Sequence, residues 1–323
     1  MNFITVAELN SDIVENLHNI PRNIDIIVGI PRSGMLVATL ISLYMNKPLS
    51  DFDSFVQGRI YSVGETKNTS ENETEYARIR KVLIVEDSSI SGNSIRKARE
   101  RLEAVNSKIE YVILAAYITK STISLVDLYF KIISPPRCFE WNFMHHRYMK
   151  EACVDIDGVL CMDPLPKEND DGARYIDFIR NARTKYLPSA EIGWLVTSRL
   201  EKYRDDTEYW LKKNKIRYRH LYMMDLDSAE ERRKLRNHAR FKAEIFKKLH
   251  AARWFLESEP TQAKEIRRLT GKEVFCIEEM LDYRPNLWQK ARWGFKSDYL
   301  DKIRSVLPQS LRKFLRKIKQ VMR

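Results

Sequence analysis

The sequence predicts two α/β domains in tandem, and three observations carry that expectation. In each half of the 323-residue chain, short apolar runs rich in β-branched residues alternate with helical patterns. The length exceeds what one hydrophobic core usually organises, roughly 150 residues per domain. A proline pair, Pro135 and Pro136, opens an aromatic-rich stretch at 134–151 that separates the two runs of alternation.

In the first half, "IDIIVGI" reads as a strand, "MLVATLISLYMN" as a helix, "KVLIVED" as a strand, "SIRKARERLEAV" as a helix, and "YVILAAYI" and "DLYFKII" as strands. That order predicts a mostly parallel sheet covered by helices. A polar insert from about Gln57 to Tyr76, with Gly58 and Gly64, reads as a long mobile loop. Trp141, Phe143, His145 and His146 read as packing between domains rather than as ligands. The second half restarts with the strand "EACVDIDGVL", a helix near "ARYIDFIRNA", the strand "EIGWLVTS" and a helix at "YRDDTEYWLKKN". A charged helix around 228–250, the strand "ARWFLES", a helix at "TQAKEIRRLT" and the strand "KEVFCI" complete it. The expected boundaries are 1–145, 146–296 and a tail at 297–323.

An apolar fraction of 44% with 31% charged residues fits a folded chain and excludes collagen-like or disordered classes. No run of about 18 apolar residues could span a bilayer, and "MNFITVAELNSD" lacks the signal-peptide pattern, so a cytoplasmic location is expected. Cys138, Cys153, Cys161 and Cys276 show no C-x-x-C spacing, which indicates neither disulfides nor a zinc site. A net charge of +12 favours an anionic partner: nucleic acid, phosphorylated substrate or acidic membrane. With no zinc-finger spacing, RNP-type motif or internal repeat, a nucleic-acid partner is not expected.

"KVLIVEDSSISGNSIRKA" delivers Glu86 and Asp87 at a strand end and follows them with a Ser/Gly loop leading into a helix. Carboxylates accept hydrogen bonds from ribose hydroxyls, while loop amides and a helix N-terminus hold a phosphate. Ser88, Ser89, Ser91 and Ser94 add hydroxyls, and Gly92 lets the backbone turn closely around the anion. The stretch resembles the phosphoribosyl-pyrophosphate (PRPP) motif of type I phosphoribosyltransferases, and "GIPRSGMLVA" resembles that family's pyrophosphate loop at Arg32, Ser33 and Gly34. The resemblance implies that Glu86 and Asp87 bind the ribose hydroxyls, directly or with Mg²⁺, and that the loop Ser88, Ser89, Ser91, Gly92, Asn93, Ser94 binds the 5-phosphate. The insert takes the place of the family's mobile catalytic loop, from which Arg59 and Lys67 could reach the pyrophosphate.

In "VDIDGVL", alternation puts Asp155 and Asp157 on one side of an extended chain, and Gly158 permits a turn that a phosphate can approach. One carboxylate can attack phosphorus while the other transfers a proton to the leaving oxygen. An acidic turn or a calcium loop would share this pattern taken alone. The stretch resembles the first motif of the haloacid dehalogenase (HAD) superfamily, and the later elements come in that family's order. They are Thr197 to hold the phosphoryl group, Lys242 to offset its charge, and Glu257 and Glu259 to hold Mg²⁺ together with Asp155 and Asp157. Lys234, Lys247 and Lys248 lie near enough to compete with Lys242 for its role. The implied fold is a Rossmannoid domain with a minimal cap.

"PQSLRKFLRKIKQVMR", 308–323, places apolar residues on one helical face and basic ones elsewhere, a pattern that suits an anionic membrane surface or the protein's own core. Phosphoribosyl transfer leaves a phosphate on O5, and a phosphatase on the same chain can remove it. The arrangement resembles dual-domain ribofuranosyltransferases of bacterial surface-polysaccharide (O-antigen or capsule) assembly, which implies PRPP as donor and a glycan hydroxyl, on a lipid-linked acceptor, as recipient. A nucleobase phosphoribosyltransferase coupled to a nucleotidase, or a PRPP-sensing domain regulating a phosphatase, stays open from sequence.

Overall fold

The computed structural model describes residues 2–61, 76–103, 108–228, 230–231 and 238–281. In chain order the first half contains β1 (Asn2–Ile4), α1 (Val6–Asn16), β2 (Ile26–Gly29), α2 (Ser33–Met45), β3 (Leu49–Asp51) and α3 (Phe52–Val56). It continues with β4 (Lys81–Ser88), α4 (Asn93–Glu103), β5 (Glu110–Ile118), β6 (Leu128–Ile132) and β7 (Arg137–Phe139). Its parallel sheet runs β3-β2-β4-β5-β6. Successive residues alternate between its faces, as a pleated strand requires. Ile27, Leu83 and Val85 meet Leu9, Val37 and Ile41 of α1 and α2 on one face. Ile26, Val28 and Ile84 meet Phe55 and Ile95 on the other. Burial on both faces explains why "IIVG" and "VLIV" read as unbroken apolar runs, and each fully buried aliphatic side chain contributes roughly 1.5–3 kcal/mol.

The second half contains β8 (Ala152–Val154), α5 (Ala173–Asn181), β9 (Ile192–Leu200), α6 (Arg204–Lys213), β10 (Tyr218–Met224), α7 (His238–Lys248), β11 (Trp254–Glu257), α8 (Pro260–Thr270), β12 (Glu273–Cys276) and α9 (Ile277–Leu281). Its sheet, also parallel, runs β10-β9-β8-β11-β12. Residues 1–280 belong to one compact unit. Within it β1 pairs with β7, and Phe3 of β1 reaches Phe275 of β12, with ring centroids 5.2 Å apart, and Phe143, 6.3 Å away.

Several elements differ from the sequence expectation. α1 opens with a capping box, the Thr5 hydroxyl accepting from Glu8 N at 3.0 Å while Glu8 accepts from Thr5 N at 2.9 Å, a T-x-x-E signature that an apolar-run search passes over. β10 is an edge strand whose exposed Arg219 and His220 hide its period. β1, β3 and β7 have three residues each, too few for a pattern. The charged helix is described only from His238 as α7 and at 230–231; residues 229 and 232–237 lie outside the described residues, as do Gly64, Lys67, the rest of the insert at 62–75 and the whole tail at 297–323.

Candidate active sites

The order of the first sheet reverses between β2 and β4, and the crevice outside the carboxyl ends of such strands is where open α/β sheets bind ligands. At the end of β2 the chain passes through exposed Arg32 and half-buried Ser33 into α2, with Ile30 N donating to the Val85 carbonyl at 2.8 Å. Gly34 is required by packing, because a Cβ there would lie 2.6 Å from that same carbonyl oxygen. At the end of β4 the loop turns at Gly92, whose φ of 76° is left-handed and where a Cβ would lie 2.1 Å from Leu125 Cδ1. Arg96 Nη1 pins this loop by donating to Ser91 O at 2.9 Å and Asn93 Oδ1 at 3.0 Å. Two helix N-termini, of α2 and α4, therefore flank one acidic pair.

Within that loop Ser91, Asn93 and Ser94 are exposed and Ser88 is half-buried. Ser89 departs from the expected role: it is buried, its N–H is spent on the Tyr117 carbonyl at 2.8 Å, and its hydroxyl lies inside the protein. Glu86 and Asp87 are both buried. Burial first, then the Asp87 charge, pushes Glu86 up to about 8, with a Ser94 hydrogen bond opposing. Burial also raises Asp87, opposed by the Trp141 hydrogen bond and the Arg137 charge. Trp141 Nε1 donates to Asp87 Oδ2 at 2.9 Å, and its ring stacks on Phe139 at 4.8 Å. Trp141, read from sequence as packing between domains, thus packs on Phe139 and also bonds the acidic pair. Of its companions, Phe143 packs in the core of the second half, His145 Nδ1 lies 3.0 Å from Ser189 Oγ, and His146 accepts from Tyr148 N at 3.3 Å.

The second sheet reverses its order at β8, with β9 on one side and β11 on the other. There Asp155 and Asp157 follow β8, and a cavity of about 280 Å³ opens on Asp155, Asp157, Ser198, Lys242, Glu257 and Glu259, among others. Gly158, at φ 73°, makes this turn possible; a Cβ there would meet Ser258 Oγ at 2.3 Å. Lys242 is 1% exposed, and its Nζ donates at 2.6 Å to Asp155 Oδ2, at 2.6 Å to Glu257 Oε2 and at 3.1 Å to Gln262 Oε1. Burial pushes Asp155 upward and the Lys242 charge draws it back. For Asp157 burial acts in the same sense, but Arg199 prevails and holds the carboxyl below the usual range. Arg199 Nη2 donates to Asp157 Oδ1 at 2.7 Å and Nε to Oδ2 at 3.1 Å.

The structure thus brings Asp155, Asp157, Lys242 and Glu257 together, with Glu259 at the same cavity but otherwise engaged and Thr197 turned away from it. Thr197 is buried with its hydroxyl accepting from Arg199 N at 3.3 Å, while its neighbour Ser198 lines the cavity. Glu259 is occupied as the N-cap of α8, accepting from Thr261 N at 2.9 Å and Gln262 N at 2.7 Å. Among the described residues no three His, Cys, Asp or Glu side chains converge as a metal ion would require. Of the expected Mg²⁺ set, Asp155 and Glu257 pair with Lys242, Asp157 with Arg199, and Glu259 caps a helix. Arg199 went unread in the sequence; its only local signal is a charge inside the apolar run "WLVTSRL".

The phosphoribosyl transferase domain family matches residues 2–146. Residues 2–146 are a phosphoribosyltransferase domain. The purine phosphoribosyltransferase of Pyrococcus horikoshii is 19% identical over 43% of this chain and 92% of its own, with a TM-score of 0.32. The Helicobacter pylori xanthine-guanine-hypoxanthine phosphoribosyltransferase is 15% identical over 43% and 90%, with a TM-score of 0.33. A chain of the Pnkp1/Rnl/Hen1 complex is 14% identical over 78% and 95%, with a TM-score of 0.28. No curated protein matches.

In the phosphoribosyltransferase domain, the Trp141 N–H is the donor that fixes the Asp87 carboxylate. Trp141→Phe keeps a ring on Phe139 and removes only that donor. The expected result is about tenfold weaker binding of PRPP with Mg²⁺, the usual cost of a lost hydrogen bond to a charged group. Equilibrium dialysis with labelled PRPP checks it, and unchanged affinity would show the bond to be incidental.

Proposed function

We propose that the protein is a bifunctional ribofuranosyltransferase. The first domain transfers the 5-phosphoribosyl group from PRPP, supplied as its magnesium complex, to a glycan hydroxyl. The C1–pyrophosphate bond breaks, a C1–O bond forms, pyrophosphate leaves and the hydroxyl proton passes to a base. The second half then hydrolyses the 5-phosphate to leave ribofuranose in a bacterial surface polysaccharide. The observation that carries this reading is the buried Asp155–Lys242–Glu257 cluster, which opens on a cavity at the order reversal of a second parallel sheet.

The residues Asp155, Asp157, Lys242 and Glu257 are those expected of a HAD-type phosphatase. Asp155 attacks phosphorus, oriented by Lys242, and ribose O5 leaves with a proton from Asp157. Asp157 is held ionised by Arg199 in the free site. A phosphate dianion arriving beside it adds the negative charge that raises its proton affinity, so that Asp157 takes a proton from solvent before giving it to O5. Water then cleaves the aspartyl phosphate, giving its proton to Asp157.

The acceptor is read as lipid-linked, on the cytoplasmic face of a membrane that the basic segment 308–323 contacts. Among the described residues no helix is long and apolar enough to cross a membrane. The test is transfer of ribose-labelled PRPP by the Asp155→Asn protein to native membrane and soluble extracts. Phosphoribose trapped on membrane glycan is the expected product. Label appearing only in soluble nucleotides overturns the glycan acceptor and favours nucleobase transfer with nucleotidase action.

A further inference from the structure

The two proposed activities create a conflict, because PRPP carries a 5-phosphate just as the transfer product does. A phosphatase that accepted PRPP would destroy the donor. The two molecules differ at C1, where PRPP bears a pyrophosphate and the glycan product a neutral sugar. The cavity is lined by six carboxylate residues: Asp155, Asp157, Asp163, Glu257, Glu259 and Glu278. The lining residues of cationic type, among those described, are Lys242 and His238, and the Lys242 ammonium is committed to Asp155 and Glu257.

Asp163 and Glu278 are exposed, so they stand where the cavity meets solvent. Asp163 lies over the catalytic turn, its Oδ2 2.9 Å from where a Cβ on Gly158 would sit. The nearby Lys185 ammonium donates to the Gly158 carbonyl at 2.8 Å. Burial, and then the charge of Asp157, raises Asp163, with the Lys185 charge opposing and those of Glu278 and Glu257 adding to the rise. A 5-phosphate seated at Asp155 leaves C1 of its ribose directed outward, because the rest of a glycan has to remain in solvent.

We infer that Asp163 and Glu278 determine specificity at this mouth, repelling the pyrophosphate of PRPP while admitting 5-phosphoribosyl groups whose C1 substituent is neutral. The inference rests on the phosphatase reading of the cavity. It makes the order of the two reactions a property of charge: the phosphate becomes a substrate only after pyrophosphate has left.

The experiment uses the full chain and two probes, methyl β-ribofuranoside 5-phosphate and PRPP, with loss of the 5-phosphate followed by ³¹P NMR. The wild type should favour the methyl riboside by about tenfold or more in kcat/KM, the size of effect that one or two nearby charges produce at a partly exposed site. Asp163→Asn with Glu278→Gln should close most of that gap by raising hydrolysis of PRPP, with the methyl riboside within about twofold of the wild type. The wild-type preference should also shrink as salt rises from about 0.01 to 0.3 M, since screening weakens repulsion at the mouth. This second measurement needs no variant. A preference that neither the substitutions nor salt alters overturns the inference and leaves the phosphatase standing. Hydrolysis of neither probe overturns the phosphatase reading, and the inference with it.

Discussion

Lys242→Met should lower the unfolding free energy of the ligand-free protein by about 3–5 kcal/mol, the cost of stranding a buried charge whose partner has been removed. The Lys242 ammonium is 1% exposed and lies 2.6 Å from carboxylate oxygens of both Asp155 and Glu257. Asp155 is 5% exposed and Glu257 fully buried, so both stay largely desolvated when the lysine goes. Methionine fills most of the space of the lysine stem, which confines the loss to charge rather than to a cavity. Asp155→Asn in the same chain should restore part of it, because it removes one of the two stranded charges. Urea unfolding of the wild type, the single variants and the double variant measures this coupling. A loss below about 1 kcal/mol for Lys242→Met would mean that the cluster relaxes into solvent and is not the buried cluster described here. The cluster is not built for stability, since an apolar trio of equal volume would hold these strands at least as well. Its position at the order reversal of the sheet is why we propose chemistry for it.

How much of this was legible in the sequence follows from how far apart the interacting residues are. "VLIV", "ILAA" and "WLVT" became strands β4, β5 and β9 because a central parallel strand is buried on both faces and so carries a continuous apolar run. The same logic fails at the sheet edge, where β10 carries exposed Arg219 and His220. Both acidic motifs were readable because their carboxylates are neighbours in the chain. Their partners were not: Arg199 reaches Asp157 across 42 residues and Trp141 reaches Asp87 across 54, and no local period records such a meeting. Lys242 is an intermediate case. In α7 it is buried with Ala243 and Phe246, whereas Lys247 and Lys248 are exposed, so helical phase could have selected it among those lysines. Glu259 shows the opposite failure. Its place next to a strand end suggested a ligand, while Pro260 after it marks the start of a helix, and the carboxylate caps that helix.

Glu86→Gln should make the ligand-free protein more stable than the wild type at pH 8.5 by about 2–4 kcal/mol, with little difference at pH 5. The sign follows from the direction of the shift. Burial and the neighbouring Asp87 charge raise Glu86 in the folded protein from an ordinary value of 4.5 to about 8. The stability it contributes is therefore fully present below about pH 4.5 and is lost as pH rises through about 8. Glutamine mimics the protonated acid and cannot ionise, so the variant escapes that loss. Urea unfolding at the two pH values, without divalent cations, reads the difference directly. An equal gap at both would mean that Glu86 ionises normally and that the pair is solvated. The same substitution should weaken PRPP binding, because the amide presents one acceptor where the carboxylate presents two to the ribose hydroxyls. A residue whose removal stabilises the empty protein and weakens the loaded one is held in place for its ligand. If the proposed function holds, the acidic pair, unfavourable in the free crevice, becomes favourable when ribose hydroxyls and magnesium arrive with PRPP.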